Sequence, residues 1–252
     1  MTDTVLYSCA EHVGRLVLNN PAEHNALGSK QLEAMEAHLA QVDADSAVRV
    51  LLISGAGEKT FCAGASLKEL GNADVTAHAF QRIGAQVAAL STPTICVLNG
   101  SVFGGGVELA VSCDFRIGVE GMRLRVPAAR LGLCYPPDGI QRFIDTLGRQ
   151  VTRRMLVAAE EFDAQALVDV GFLDHLAQRQ NLESHADDLA QRIASLAPLA
   201  VQSMKSILAQ ATGAAVDTEN ALLLSQQCAA SEDLQEGLKA QREKRVPQFK
   251  GR

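Results

Sequence analysis

Short, continuously apolar segments alternate with amphipathic helical segments over the first two-thirds of the chain. The apolar segments are residues 13–18, 48–53, 94–98 and 114–119. Because their apolar residues are continuous rather than alternating, each segment is predicted to be a strand covered on both faces. Between the strands, apolar side chains recur at helical spacing in two stretches. The first contains Leu32, Met35, Leu39 and Val42, and Ser29 before it is a predicted N-cap. The second contains Phe80, Ile83, Val87 and Leu90. This alternation predicts an α/β core.

The last third of the chain has a different pattern. From about residue 141 onward, only residues 171–176 have strand character. Amphipathic helical patterns continue to the C-terminus, interrupted at Pro198 and Gly213. Such amphipathic helices must cover an apolar surface, either on their own core or on a neighbouring subunit. No low-complexity linker separates the two parts, so the sequence predicts one unit with a helical C-terminal part.

Composition excludes several classes of protein. The 252 residues are 47% hydrophobic, which excludes wholesale disorder, and carry a formal net charge of −6. A nucleic-acid partner is not expected, because the basic residues form no stripe beyond a short cluster at 239–252. No run of about 18 apolar residues predicts a membrane span, and the N-terminus has no secretory pattern. We therefore expect a cytoplasmic protein without a membrane partner.

The cysteines and histidines do not indicate a metal site. The six cysteines include no CxxC pair, and most lie in apolar segments, so they are expected to be reduced residues of the core. The six histidines are scattered without pairs at ligand spacing. A phosphate loop at 55–60 and a dinucleotide fingerprint at 104–109 are both incomplete, because Glu58 and Leu109 occupy the positions that would need lysine and glycine.

Two segments of small residues carry the candidate chemistry. Residues 60–70 follow the second strand segment and are small at 63–66, and residues 99–110 contain three consecutive glycines before a helix. Small residues let a ligand approach the backbone, whose N–H groups are then free to bind it. Two such loops facing each other would form an oxyanion hole, with Glu108 in the first helical turn beside it.

A structural explanation of the same residues stays open. Glycines before a helix often form a tight turn, and a glutamate in a first turn often serves as a cap or as a partner of the helix dipole. The presence of two such loops about 40 positions apart, with a strand segment between them, favours a functional site, since active sites are commonly assembled from separate loops of one sheet.

Several motifs in the same order resemble the enoyl-CoA hydratase/isomerase (crotonase) family. They are NPAEHNAL at 20–27, FCAGASLKEL at 61–70 and NGSVFGGGVELA at 99–110, and the similarity continues through 127–148 and 162–172. The resemblance implies an α/β fold, a crotonase-like spiral of β-β-α turns with a C-terminal helical region used in trimerisation. It places the spiral core at residues 1–190 and the trimerisation helices at residues 191–252.

The resemblance also implies an acyl-CoA thioester as substrate, with no separate cofactor because coenzyme A is part of the substrate, and a role in fatty acid metabolism. The backbone N–H groups of Ala65 and Gly105 would bind the thioester oxygen. Further acyl-CoA contacts are expected from His24, Ala26, Ala63, Ser66, Leu67, Lys68, Tyr135 and Asp138. Phe249 and Lys250 would reach the coenzyme A of a neighbouring copy in a homotrimer or a dimer of trimers.

The carboxylates depart from the family pattern. Glu108 matches the first of two catalytic glutamates of hydratases in this family, but Ala128 stands where the second would follow Pro127, and Ser66 stands where aspartate is common. Asp138 is expected to be the N-cap of a helix over 140–147 rather than a catalyst. Tyr135 is either a wall of the acyl pocket or a hydrogen-bond donor to the acyl group.

Enoyl-CoA hydration is therefore the leading hypothesis. Isomerisation of the double bond by one carboxylate is the nearest alternative, followed by decarboxylation or thioester hydrolysis. A protein that binds acyl-CoA without catalysis is a further hypothesis, because a methyl group at position 128 cannot transfer a proton.

Overall fold

Two β-sheets and the helices packed on them form the frame of the molecule. A computed structural model describes residues 3–66, 73–210 and 218–252. Its strands are β1 (Val5–Ala10), β2 (Val13–Leu18), β3 (Val50–Gly55), β4 (Thr60–Cys62), β5 (Thr94–Leu98), β6 (Ser101–Phe103), β7 (Phe115–Val119), β8 (Arg123–Arg125), β9 (Glu161–Asp163) and β10 (His175–Ala177).

The helices follow the strands along the chain and dominate its C-terminal part. They are α1 (Ser29–Ala44), α2 (Ala73–Ala89), α3 (Gly105–Val111), α4 (Pro137–Thr152), α5 (Ala164–Asp169), α6 (Leu182–Ala194), α7 (Pro198–Gln210), α8 (Thr218–Ala229) and α9 (Glu232–Glu243). Helix α4 is interrupted at Gly148, which has a φ of +71°. Short 3₁₀ turns connect several of these elements.

The two sheets are mostly parallel. The larger sheet has the order β1-β2-β3-β5-β7-β10, in which only the β1–β2 pair is antiparallel among the described strands. The smaller sheet has the order β4-β6-β8-β9, with β4, β6 and β8 parallel and β9 antiparallel. Parallel pairing requires a crossover between successive strands of a sheet, and the helices supply it.

The chain winds as a spiral because it alternates between the sheets in a fixed order. One strand joins the larger sheet, the next joins the smaller sheet, and a helix follows: β3-β4-α2, then β5-β6-α3. Strands β7 and β8 begin another turn, which α4 follows after a 3₁₀ turn. Each turn therefore delivers the residues after its second strand to the same edge of the smaller sheet.

The predicted strands and helical stripes lie in the core. All five residues of β5 and the first four of β3 are buried, as expected of strands covered on both faces. The α1 stripe of Leu32, Met35, Leu39 and Val42 is buried too. Three of the six cysteines, Cys62, Cys96 and Cys113, are buried, whereas Cys9 and Cys134 are exposed.

Several predicted boundaries were wrong. Ser29 is the first residue of α1 rather than its cap, and Gly28 occupies the N-cap position, where its backbone N–H donates to Gln31 Oε1 at 3.1 Å. Strand β7 begins at Phe115, one residue later than predicted, and the carboxylate of the preceding Asp114 accepts hydrogen bonds from the backbone N–H and hydroxyl of Thr94. The strand expected over 171–176 lies instead at His175–Ala177.

The C-terminal helices fall into two groups. Helix α6 packs on β2, β3, β5 and β7, and the predicted domain boundary at residue 190 falls inside it. Helices α7, α8 and α9 leave several large apolar side chains exposed, namely Met204, Leu208, Leu222, Leu223, Leu234 and Leu238. Across the described ranges, no helix is both long and apolar enough to span a membrane.

Arg116 on β7 is a buried cation that ties the larger sheet to the segment before β10. Its Nε donates to the Phe172 carbonyl at 2.5 Å and its Nη1 to the Cys113 carbonyl at 2.7 Å. Its side chain is 7% exposed, and the nearer carboxylate, Asp174, lies 3.9 Å away. The guanidinium therefore acts chiefly as a hydrogen-bond donor to buried carbonyls.

We predict that Arg116→Met lowers the free energy of unfolding by roughly 3 kcal/mol, because it leaves buried carbonyl groups without donors. The matched control is Arg123→Met, which removes a 66%-exposed side chain paired with Glu161 and should cost less than about 1 kcal/mol. Urea unfolding of both variants provides the measurement. Equal losses in the two variants would contradict this account of Arg116.

Candidate active site

The loop after β4 and the start of α3 are in direct backbone contact. A β-carbon built on Gly64 would lie 2.8 Å from the backbone N of Gly105 and 2.9 Å from the carbonyl oxygen of Phe103. Gly64 also has a φ of +87°, a conformation that favours glycine. The two small-residue segments singled out in the sequence thus meet at a point where no side chain fits.

The backbone N–H of Ala65 takes no part in the bridge that holds its loop. Leu27 donates its N–H to the Gly64 carbonyl at 2.9 Å and accepts the Ser66 N–H at 3.0 Å. Both hydrogen bonds of this parallel bridge use the backbone of Leu27, so the N–H of Ala65 stays outside it. Ala65 is half-buried. Its amide is therefore held in place without being consumed by the loop's own bonding.

The backbone N–H of Gly105 is also outside the regular hydrogen bonding. Gly105 is the first residue of α3, and the first N–H groups of a helix have no acceptor within it. The preceding Gly104 turns the chain with a φ of +52°. The ring of Phe80 packs directly on Gly105, where a β-carbon would lie 2.6 Å from Cε1. Glycine at 105 therefore allows α2 to approach the start of α3.

The loop that contains His24 and Ala26 lies beside the loop after β4. The Ala63 N–H donates to the His24 carbonyl at 3.0 Å, and His24 Nδ1 lies 3.0 Å from the Thr60 hydroxyl oxygen. Asn25 is buried and donates through Nδ2 to the Thr60 carbonyl at 2.9 Å. The structure thus places His24 and Ala26 next to Ala63 and Ser66. The predicted contacts Leu67 and Lys68 lie outside the described residues.

Glu108 is a buried carboxylate in the first turn of α3. Its side chain is 4% exposed, and its Oε1 accepts a hydrogen bond from Arg142 Nη2 at 2.6 Å. Burial raises the pKa of Glu108 above its ordinary value, while the hydrogen bond and charge of Arg142 oppose that rise. The glutamate singled out in the sequence is therefore buried and ion-paired.

The sequence patterns did not identify Arg142 as a residue of the site. It lies on α4, 34 positions from Glu108, and is separated from it by the whole of β7 and β8. The one sequence signal is its location within the family-like segment 127–148, because no local spacing connects the two side chains. The crossing of α3 and α4 brings them together.

Tyr135 lies next to the glutamate. A β-carbon on Gly139 would be 3.0 Å from Glu108 Oε1 and 3.4 Å from Tyr135 Cδ1, so both side chains border the same backbone position. The Tyr135 ring packs edge-on against Phe143 with centroids 5.8 Å apart. Burial, then the charges of Glu108 and Cys62, raise the pKa of Tyr135, so its phenol is protonated at neutral pH. It can therefore donate a hydrogen bond.

Ala128 and Asp138, the two remaining predicted residues of this region, differ in their exposure to solvent. Ala128 is buried at the start of a 3₁₀ turn. Asp138 is exposed in the first turn of α4, and Pro136 is the N-cap of that helix, so the prediction that Asp138 caps it was wrong. The helix begins three residues earlier than expected because Pro137, with its fixed φ, starts it.

Phe249 and Lys250 belong to a C-terminal segment that is fastened to α9. The buried carboxylate of Asp233 accepts the backbone N–H groups of Lys250 and Gly251 at 2.7 and 2.8 Å. Arg49 donates to the Phe249 carbonyl at 2.8 Å. The contact of these residues with a neighbouring copy remains a prediction.

The family that the sequence resembles is established by comparison with known proteins. A family model described as enoyl-CoA hydratase/isomerase matches residues 9–252. The chain belongs to the enoyl-CoA hydratase/isomerase family. The predicted crotonase-like α/β fold is confirmed as well, since the enoyl-CoA hydratase from Bacillus anthracis superposes with a TM-score of 0.91 at 30% identity, covering 99% of this chain and 100% of that one. The use of the C-terminal helices in trimerisation stays a prediction.

Two of the named relatives of this enoyl-CoA hydratase/isomerase family member are hydratases. The 2,3-dehydroadipyl-CoA hydratase of Escherichia coli strain K12 is 32% identical over 98% of this chain and 99% of its own. The short-chain-enoyl-CoA hydratase of Clostridium acetobutylicum is 30% identical over 95% of each chain. The prediction that the protein is an enzyme of the lyase or isomerase class is confirmed.

In this family member, we predict that Gly64→Ala lowers the free energy of unfolding by more than a glycine-to-alanine change that introduces only backbone strain. The control is Gly121→Ala, which also has a positive φ, of +80°, but has nothing within 4 Å of the new β-carbon. Both changes incur about 1–2 kcal/mol of strain, and Gly64→Ala should lose a further ~1–3 kcal/mol by overpacking against Gly105. Urea unfolding measures the difference, and equal losses would contradict the contact between the two loops.

Proposed function

We propose that the protein adds water to the double bond of a 2-enoyl-CoA thioester. The observation that carries this proposal is the position of Glu108, a buried carboxylate one turn into the helix whose first N–H group lies against the loop of Ala65. The names of the relatives, which include two enoyl-CoA hydratases acting on different acyl groups, support the same reaction.

The first step of the proposed reaction uses the backbone amides. Attack of water on C3 of the enoyl group pushes an electron pair through C2 onto the thioester oxygen, which becomes enolate-like. The N–H groups of Ala65 and Gly105, both outside the regular hydrogen bonding, would donate to that oxygen. A donor of this kind typically contributes roughly 10²–10³ in rate, because it is already oriented when the charge develops.

The proton transfers fall to Glu108. Its carboxylate removes a proton from the water as the C–O bond forms at C3, and the resulting carboxylic acid returns a proton to C2 as the enolate collapses. Water is thereby added across the double bond, and Glu108 ends as a carboxylate. A pKa raised by burial suits this work, because it brings the proton affinity of the group closer to neutral pH.

The acyl-CoA would lie along the paired loops. His24, Ala26, Ala63, Ser66, Leu67 and Lys68 would line the coenzyme A channel, and Tyr135 would border the acyl group. Of the two roles considered for Tyr135, we propose donation to the acyl group, for which its phenol is protonated at neutral pH. Asp138 is exposed at the mouth of this region and is proposed as a contact rather than as a catalyst.

Double-bond isomerisation is the second candidate, and Ala128 favours it. One carboxylate suffices to remove a proton at one carbon and return it at another, whereas the usual two-glutamate hydration needs a second carboxylate where Ala128 stands. Decarboxylation, thioester hydrolysis and acyl-CoA binding without chemistry remain weaker alternatives, because no feature of the described site favours them over proton transfer.

A homotrimer or a dimer of trimers is proposed as the assembly. The support is the set of exposed leucine and methionine side chains on α7, α8 and α9, which an isolated chain would leave in water.

We predict that the purified protein converts crotonyl-CoA to a product one water heavier, and that Glu108→Gln lowers kcat/KM by about 10²–10⁴-fold, because the amide cannot accept the proton. Glu120→Gln, at an exposed turn after β7, is the matched control and should retain the activity. Initial rates with crotonyl-CoA give kcat/KM for each variant. The mass of the products formed from crotonyl-CoA and from a 3-enoyl-CoA identifies the reaction.

The two substrates separate the candidate reactions. A shifted double bond in the 3-enoyl-CoA at unchanged mass, without hydration of crotonyl-CoA, would replace hydration by isomerisation. Stabilisation against heat by acyl-CoA esters without any product would leave only a binding function.

We further predict that Ala128→Glu raises the rate of hydration by about 100-fold, because it supplies the second proton-transfer group. Ala129→Glu is the matched control, since it adds the same charge at an exposed neighbouring position. Steady-state hydration of crotonyl-CoA by both variants checks this. A rate that stays flat or falls in Ala128→Glu, with the fold intact, would show that the site is not built for a second carboxylate.

A further inference from the structure

Glu108 has one charged partner within the described part of the site. The Arg142 guanidinium, 16% exposed, contacts Oε1 at 2.6 Å. The only charged side chain on the described part of α2 from Ala79 onward is Arg82, which lies 3.6 Å from Glu36 instead. Among the described residues, the other titratable groups near the carboxylate are the exposed Asp138 in the first turn of α4, and Tyr135 and Cys62. Burial raises the pKa of Tyr135 and of Cys62, that of Cys62 to about 12. Both are therefore neutral at pH 7.

A carboxylate this deeply buried would not remain charged alone. Desolvation of an unpaired carboxylate is costly enough that the group takes up a proton instead. A neutral carboxylic acid cannot remove a proton from water. The ion pair with Arg142 offsets that desolvation, so it decides whether Glu108 begins the reaction as a base or as an acid.

The contact is also directional. Oε1 is bounded by Arg142 Nη2 and by the backbone at Gly139, where even a β-carbon would lie 3.0 Å away. No hydrogen bond between described residues uses Oε2. Space for the guanidinium comes from α2, where a β-carbon on Gly84 would lie 3.1 Å from Nη2.

We infer that Arg142 is the positioning residue of the site: it holds the Glu108 carboxylate ionised and occupies Oε1, so that Oε2 is the oxygen that exchanges protons with the substrate. The inference rests on the proposed function in that it gives Glu108 the work of moving protons. Arg142 itself touches the carboxylate and not the reacting atoms.

The test is the titration of Glu108 in the wild type and in Arg142→Gln and Arg142→Lys. Protein labelled with ¹³C at the glutamate side-chain carboxyl reports each titration by NMR, and the Glu108 signal is the one absent from Glu108→Gln. In Arg142→Gln the Glu108 midpoint should move to higher pH, with at least a tenfold change in its ionisation constant. Arg142→Lys should move it less, because it keeps the charge but loses the planar donor. Arg149→Gln, an exposed arginine on α4, should leave it unchanged.

The pH dependence of catalysis gives the second readout. The acid limb of kcat/KM should move to higher pH in Arg142→Gln by the same amount as the NMR midpoint, with little change in KM, since removing the guanidinium makes Glu108 protonated over more of the pH range. A purely structural ion pair would lower activity without moving this limb. An unchanged Glu108 midpoint, or an unmoved acid limb in a folded Arg142→Gln, would overturn the inference.

The two readouts separate this inference from the proposed function. The NMR titration needs no turnover, so a wild type that converts no enoyl-CoA would refute the hydration proposal while the titration still decides the role of Arg142. If the wild type hydrates crotonyl-CoA normally and Glu108 has the same titration midpoint in Arg142→Gln as in the wild type, the hydration proposal stands and the role inferred for Arg142 is refuted.

Discussion

The parallel pairing of β4 with β6 determines the rest of the site. Parallel strands end at the same edge of a sheet, so the residues that follow each strand become neighbours even though about 40 positions separate them. The loop of Gly64 and Ala65 follows one strand, and Gly104 and Gly105 follow the other. Backbone meets backbone there because glycine at 64 leaves no side chain between the loops.

A second constraint is the burial of charge against α3. The site needs a carboxylate that is shielded from water and yet ionised, and these requirements oppose each other. Burial raises the pKa of Glu108 and Arg142 opposes that rise. Helices α2 and α4 both pack closely on this ion pair, and glycine at 84 and at 139 leaves the space that it needs.

Much of this arrangement could be predicted from the sequence, because it depends on local patterns. Continuous apolar segments located the buried strands, and helical spacing located the α1 stripe. The two small-residue segments predicted a meeting of loops, and the motifs within them led to the family. Helix starts were predicted less well, since capping depends on backbone geometry: Gly28 takes the place expected for Ser29, and Pro136 the place expected for Asp138. The Glu108–Arg142 pair could not be predicted, because it arises from the crossing of two helices distant in sequence.

The site is crowded where its two loops meet. Extra atoms at 64, 105 or 106 would collide with backbone or with a packed side chain, whereas Ala128 is a small residue at the start of a 3₁₀ turn. The amides that would stabilise negative charge are thus built into parts of the chain that tolerate almost no variation. Position 128, by contrast, lies outside these crowded segments. Such a division would let related proteins with this fold differ in the reaction that they catalyse while they keep the same backbone contacts to a thioester oxygen.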